Sequence, residues 1–299
     1  MTDLATMFGA NFMQQAAIAL TLLAVVAAVV GVALNLRNLE FVSDGLVHAV
    51  FPGVVIGFVT AGVDGVYIGA VIAALIATAL LTIAAHRGIG SDATTAVLLA
   101  GTFALGIVII SRSSNFATGL EHLLFGQLLT IDAADLIAIS VLGGIALLLV
   151  GFTWKEQLYI SFDPAGAKAT GMRVLAYELA LNFAIALVVV AAARAVGNLL
   201  VLALLIVPPA IGRLMSRRLG TIVTVALISS LGASLAGLVT GYWLSVDARL
   251  NVSPSAVLVL VLVLAYLVVA AMTTLPGRLR RRQRLLARVA VTSQSGQSV

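Results

Sequence analysis

The 299-residue chain has no cysteine, and only 10% of it is Asp, Glu, Lys or Arg and 6% is aromatic. Without cysteine, thiolate metal sites and disulfides are excluded, and nothing follows about redox compartment. Lysine occurs only at Lys155 and Lys168, and neither stands in a G-x-x-x-x-G-K-[ST] context. No phosphate loop can form, so no ATP is bound by that route. No Ser/His/Asp arrangement suggests hydrolysis, and the chain is read as not itself an enzyme. Met1 to Gln15 carries Asp3 as its sole charge. With no basic n-region there, the first apolar run is expected to stay as a span and not to be cleaved as a signal.

What is present is apolar sequence, 62% of the chain, with a mean hydropathy of +1.16. Repeated apolar runs of about 18 or more residues read as membrane-spanning helices. Strand alternation is missing and the runs exceed barrel-strand length, so the expected class is all-α and polytopic, with eight to nine spans. Nine are read, at about 12–34, 44–61, 65–85, 94–111, 132–153, 174–193, 197–215, 220–243 and 254–274. With the N-terminus outside, fourteen of the seventeen Lys and Arg residues fall on the cytoplasmic side and only Arg112, Arg194 and Arg249 fall outside. The positive-inside bias favours that orientation. The same placement accounts for a pI near 10.1 without nucleic acid. Residues 1–275 form one transmembrane domain. Residues 276–299 form a basic cytoplasmic tail for anionic headgroups, disordered at its end.

The stretch Ser43-Asp44-Gly45-Leu46-Val47-His48-Ala49-Val50-Phe51-Pro52-Gly53 opens the second run. On a helix, Asp44 and His48 share one face, one turn apart. Hydrocarbon makes such groups costly unless they pair, meet water or hold an ion. The pair reads either as a partial ligand set for manganese or zinc, as an Asp–His hydrogen bond, or as an N-cap with a satisfied histidine. Pro52 removes a backbone N–H, so a kink or break near His48 is expected. Gly45, Gly53 and Gly57 permit close helix approach.

Other polar residues have plainer readings. Glu40 is a loop acid or a metal ligand, and Asp64 belongs to an outer turn. Glu121 and His122 open a short amphipathic or re-entrant segment within 112–131; as neighbours they point about 100° apart, which disfavours one shared ion. His86 is a surface histidine. Glu178, the one acid well inside apolar sequence, pairs with Arg173 or faces a neighbouring helix. Asp163-Pro164 reads as N-cap and N1 of a short helix, and Gly171 as its C′ residue. Pro208-Pro209 frees carbonyls one turn earlier, as a gating hinge or a static kink.

Three stretches in order now carry a resemblance: residues 43–53 above, Ser161-Phe162-Asp163-Pro164-Ala165-Gly166-Ala167-Lys168-Ala169-Thr170-Gly171, and Gly197-Asn198-Leu199-Leu200-Val201-Leu202-Ala203-Leu204-Leu205-Ile206-Val207-Pro208-Pro209-Ala210. Over about residues 12–275 the chain resembles the membrane permease subunit of metal-ion ABC importers, the manganese/zinc/iron-chelate family. The resemblance implies a type II importer-like permease in the cytoplasmic membrane of a prokaryote. It implies that Asp44 and His48 meet the metal in the path, and that a coupling helix at about 163–171 (Asp163, Pro164, Ala167, Lys168, Gly171) docks on the ATPase. It further implies a cytoplasmic ATPase pair, an extracytoplasmic solute-binding protein and a second permease copy, a homodimer in the first instance. No bound cofactor is implied; manganese, zinc or iron is cargo. Two departures, Asn251-Val252-Ser253-Pro254-Ser255 before the last span and Val47 at a position usually small, bear on which metal is carried. The rival readings are an ABC permease for a chelate or organic substrate, and an ATP-independent cation- or proton-coupled transporter.

Overall fold

The computed structural model describes residues 8–88, 91–111, 126, 128–193, 195–246 and 252–273. Every regular element among them is helical. Nine of the helices are long and apolar enough to cross a membrane, which agrees with the reading of the apolar runs.

Helix α1 (Asn11–Leu36) is the aliphatic axis of the bundle. It touches α5 (Ala133–Phe152), α8 (Val174–Ala193), α9 (Asn198–Met215) and α10 (Leu219–Val246). Its Met13, Leu20, Leu23 and Leu34 are fully buried, because a helix that is apolar on nearly every face can be packed by several neighbours at once. It ends in a Schellman motif. Asn38 takes φ 52°, the N–H of Asn38 donates to the Asn35 carbonyl, and that of Leu39 to the Leu34 carbonyl. Asparagine tolerates this left-handed conformation better than most residues. The corner leads straight into α2 (Glu40–Gly62).

Helix α2 and helix α3 (Gly65–His86) reverse at Gly62, where φ is 67° and ψ −147°. The hairpin is closed by glycine against glycine. A Cβ on Gly53 would strike the Gly69 carbonyl, one on Gly57 that of Gly65, and the reverse also holds. This is the close approach expected of Gly53 and Gly57; Gly45 similarly admits Thr95 of α4 (Ser91–Ile110). Of the expected kink or break, Pro52 does not break α2: the only non-helical backbone between Glu40 and His86 is at Gly62. Packing of the adjacent Gly53 onto α3 keeps the helix running through the lost hydrogen bond.

Asp132 and Asp135 cap the start of α5 reciprocally, and the Tyr67 hydroxyl of α3 donates to Asp135 Oδ1 at 2.6 Å. A 3₁₀ turn at Leu128–Thr130 lies against α1. After α5 come two short helices, α6 (Trp154–Phe162) and α7 (Pro164–Ala169). The last helix, α11 (Pro254–Thr273), begins at its proline and seats Leu258 on Gly237 of α10. The two prolines of α9 are buried within one continuous helix.

Candidate functional site

Helix α2 starts at Glu40, a turn earlier than the apolar run suggests. Asp44 therefore lies inside the helix, and His48 a further turn along, roughly 12 Å from the helix start at 1.5 Å per residue. Their side chains do share a face: His48 Nε2 stands 3.6 Å from Asp44 Oδ1. That is beyond a good hydrogen bond. The imidazole is 24% exposed and the carboxylate 35%. His48 Nδ1 is buried with no hydrogen-bond partner, and the ring edge meets Phe103 of α4 with centroids 5.3 Å apart. Pro52 has no N–H to offer the His48 carbonyl. The pair thus presents nitrogen and oxygen donors not consumed by each other, held between α2 and α4. Among the described residues no three His, Asp or Glu side chains cluster in metal-ligand fashion.

Glu40 does not join this pair. Its Oε1 accepts from Asn35 Nδ2 at 2.5 Å, and Arg213 of α9 donates to both the carbonyl and Oδ1 of Asn35. Glu121 and His122 lie outside the described residues, as does the tail 276–299.

The short helix α7 has the expected ends. Asp163 Oδ1 accepts from the Gly166 N–H at 2.8 Å, and Pro164 occupies the first turn. Gly171 takes φ 78° and closes a Schellman motif, with Gly171 N–H to the Lys168 carbonyl and Met172 N–H to the Ala167 carbonyl. Asp163, Pro164, Lys168 and Gly171 are exposed. Ala167 is not: it is fully buried against Ile160 of α6 and Val174 of α8, with Met172 and Tyr177 around it. Its role is to seat α7 on the bundle, since a side chain facing inward cannot meet a partner. Phe162, immediately before Asp163, is 72% exposed. The motif alone did not single out this exposed aromatic beside the capped helix.

Glu178 faces neighbouring elements and leaves Arg173 exposed. Arg37 Nη2 donates to Glu178 Oε1 at 2.8 Å, and His86 Nδ1 lies 3.3 Å from Oε2. His86 is therefore a partner of Glu178 and not a plain surface histidine. These three residues come from the α1–α2 corner, the end of α3 and the start of α8, too far apart in sequence for any local pattern to reveal.

Comparison with known proteins gives the same picture. The ABC 3 transport family matches residues 9–273. The manganese import system permease protein ScaB of Streptococcus gordonii is 35% identical over 251 residues, 83% of this chain and 89% of that protein. The manganese transport system membrane protein MntC of Listeria monocytogenes is 30% identical over 283 residues, 92% of this chain and 95% of that one. Among solved structures, a chain of PsaBC from Streptococcus pneumoniae in complex with Fab is similar, with a TM-score of 0.75 at 32% identity, over 87% of this chain and 91% of that chain. The bundle of apolar helices and a match that covers nearly all of it together identify this chain as a multi-pass membrane protein of the ABC 3 transport family.

Proposed function

We propose that this chain is the transmembrane permease of an ABC importer that carries a divalent metal ion, manganese in the first place, with ATP hydrolysed in a separate subunit. The observation that carries the metal role is the Asp44–His48 pair: oxygen and nitrogen donors one turn apart on a membrane helix, with His48 Nδ1 buried and unpartnered. A polar atom so placed costs free energy unless a ligand or water meets it. Manganese accepts carboxylate and imidazole ligands. The names of the manganese permease relatives support manganese over zinc and iron.

One chain offers two such side chains, fewer than a hexacoordinate ion takes. A second copy related by a two-fold axis would double the set to two Asp and two His. The partners proposed are that second copy, a cytoplasmic ATPase pair docked on α7, and an extracytoplasmic solute-binding protein. Capping of α7 at both ends supports its use as a rigid docking helix.

The test is metal accumulation in cells expressing the chain with its ATPase, wild type against His48→Ala and Asp44→Ala, with several divalent metals supplied. Accumulation of manganese that disappears in both variants, while the complex still assembles, is the expected result. Normal accumulation in both variants removes these residues from the path. Failure of any metal to accumulate in the wild-type assembled complex turns the assignment to a chelate or organic substrate.

A further inference from the structure

The bond network at the end of the bundle that carries α6 and α7 links the docking helix to the helix of Asp44 and His48. Ala167 seats α7 against Ile160 of α6 and Val174 of α8. One turn back from Ile160 is Gln157, which is buried. Its Nε2 donates to the Tyr177 carbonyl at 2.7 Å, and its Oε1 accepts from Arg37 Nη1 at 3.0 Å. The other amine of Arg37 holds Glu178, next to Tyr177 in α8, and Glu178 in turn reaches His86 at the end of α3. Arg37 is the C-cap of α1, in the corner that starts α2 at Glu40. Arg213 and Asn35 clamp the same corner from α9 through Glu40.

Resting on the importer reading, we propose that Gln157, Arg37 and Glu178 are positioning residues that transmit movement of α7 to α2, and so couple ATP hydrolysis in the partner to opening of the Asp44–His48 path. The physical case is the chemistry of the joint. Arg37 and Glu178 are only 10% and 25% exposed, so their attraction is less screened than that of a surface pair. A guanidinium has a fixed fork of donors, and here that fork spans two elements: one branch ends on α6 and the other on α8. Displacement of α6 relative to α8 cannot leave both bonds in place. It either breaks one or drags the α1–α2 corner with it. A joint of this kind has discrete arrangements, which a conformational coupling requires. Apolar packing alone would let α6 slide without informing α2.

The experiment uses the full complex of permease and ATPase in proteoliposomes with its solute-binding protein supplied, and measures manganese influx and ATP hydrolysis together. Gln157→Leu leaves the Arg37–Glu178 pair intact and cuts its link to α6, together with the Gln157 bond to the Tyr177 carbonyl. Glu178→Gln weakens the pair, and the double exchange Arg37→Glu/Glu178→Arg restores the pair itself with reversed charge, though not the Gln157 bond to residue 37. Uptake per ATP hydrolysed is expected to fall about tenfold or more in Gln157→Leu and Glu178→Gln, with ATPase binding and hydrolysis retained, and to recover at least in part in the double exchange. Unchanged uptake per ATP in Gln157→Leu overturns the inference. So does a loss of hydrolysis in strict proportion to uptake, which a merely structural role would give. Absence of ATP-dependent metal influx in the wild type overturns the importer reading and this inference together, whereas wild-type influx with an indifferent Gln157→Leu overturns this inference alone.

Discussion

Gly31 of α1 lies directly against the carbonyl oxygen of Leu205 in α9, and the Pro209 ring sits beside it. Pro209 has no N–H to bond that carbonyl along the helix, which leaves the oxygen without its usual helical donor where the Gly31 backbone faces it. A Cβ would occupy the same space. Gly31→Ala is expected to push the two helices apart and cost about 1–3 kcal/mol, as overpacking of a close-packed interface does. Thermal unfolding of the purified permease in detergent reads this as a lowered Tm. An unchanged Tm would mean that α1 and α9 are less tightly joined than they stand here.

Pro208 and Pro209 lie buried in a continuous helix, and their proposed service as a hinge has its own test. Pro208→Ala/Pro209→Ala returns two N–H donors to the ladder and stiffens α9. Metal uptake by the assembled complex is expected to fall several-fold, with ATPase binding retained. Full uptake would make the pair a static kink.

Asp135 is nearly fully buried, and the Tyr67 hydroxyl joins it from α3. Tyr67→Phe removes this donor with little change in shape. The expected loss is about 1.5–3 kcal/mol, the range for a hydrogen bond to a charged group. Thermal stability should fall while the ATPase still copurifies, because this contact lies at the opposite end of the bundle from α7.

Phe162 contributes little to the fold, being largely exposed. Phe162→Ala should therefore change stability by no more than about 0.5 kcal/mol, as ordinary surface changes do. Copurification of the ATPase should drop severalfold if the ring enters its docking cleft, since exposed aromatics supply much of the binding energy at interfaces. Undiminished copurification would place the docking surface on Lys168 and its neighbours alone.

The ends of α7 test whether its order matters. Asp163→Ala removes the cap and costs about 1 kcal/mol. Gly171→Ala meets open space but must hold φ at 78°, which costs about 1–2 kcal/mol for a residue with a Cβ. In a helix of six residues, either change is large beside the stability of the helix itself. Hydrogen exchange at the α7 amides should quicken in both variants before global stability changes. Unaltered exchange would show that Ala167 packing alone holds the helix.

The sequence by itself determined the spans, because runs of about 18 apolar residues have few stable alternatives to a buried helix. It also determined local geometry within one or two turns. Asp44 and His48 share a face because a helix repeats every 3.6 residues. Asp163, Pro164 and Gly171 stand at the ends of α7 for equally local reasons. Tertiary structure decided what sequence distance hides. Glu178 takes Arg37, 141 residues away, in preference to the near Arg173; the α1–α2 corner, the end of α3 and the start of α8 meet at one end of the bundle, which no run of hydropathy reports. The same packing keeps α2 helical through Pro52, where Gly53 lies close against Gly69 beside a lost backbone bond. It turned Ala167 inward and left Phe162 outside, a choice made by the shape of the surface formed by α6 and α8. Local chemistry fixes what a residue can do over one turn; which distant groups it meets is settled only when the helices close around α1.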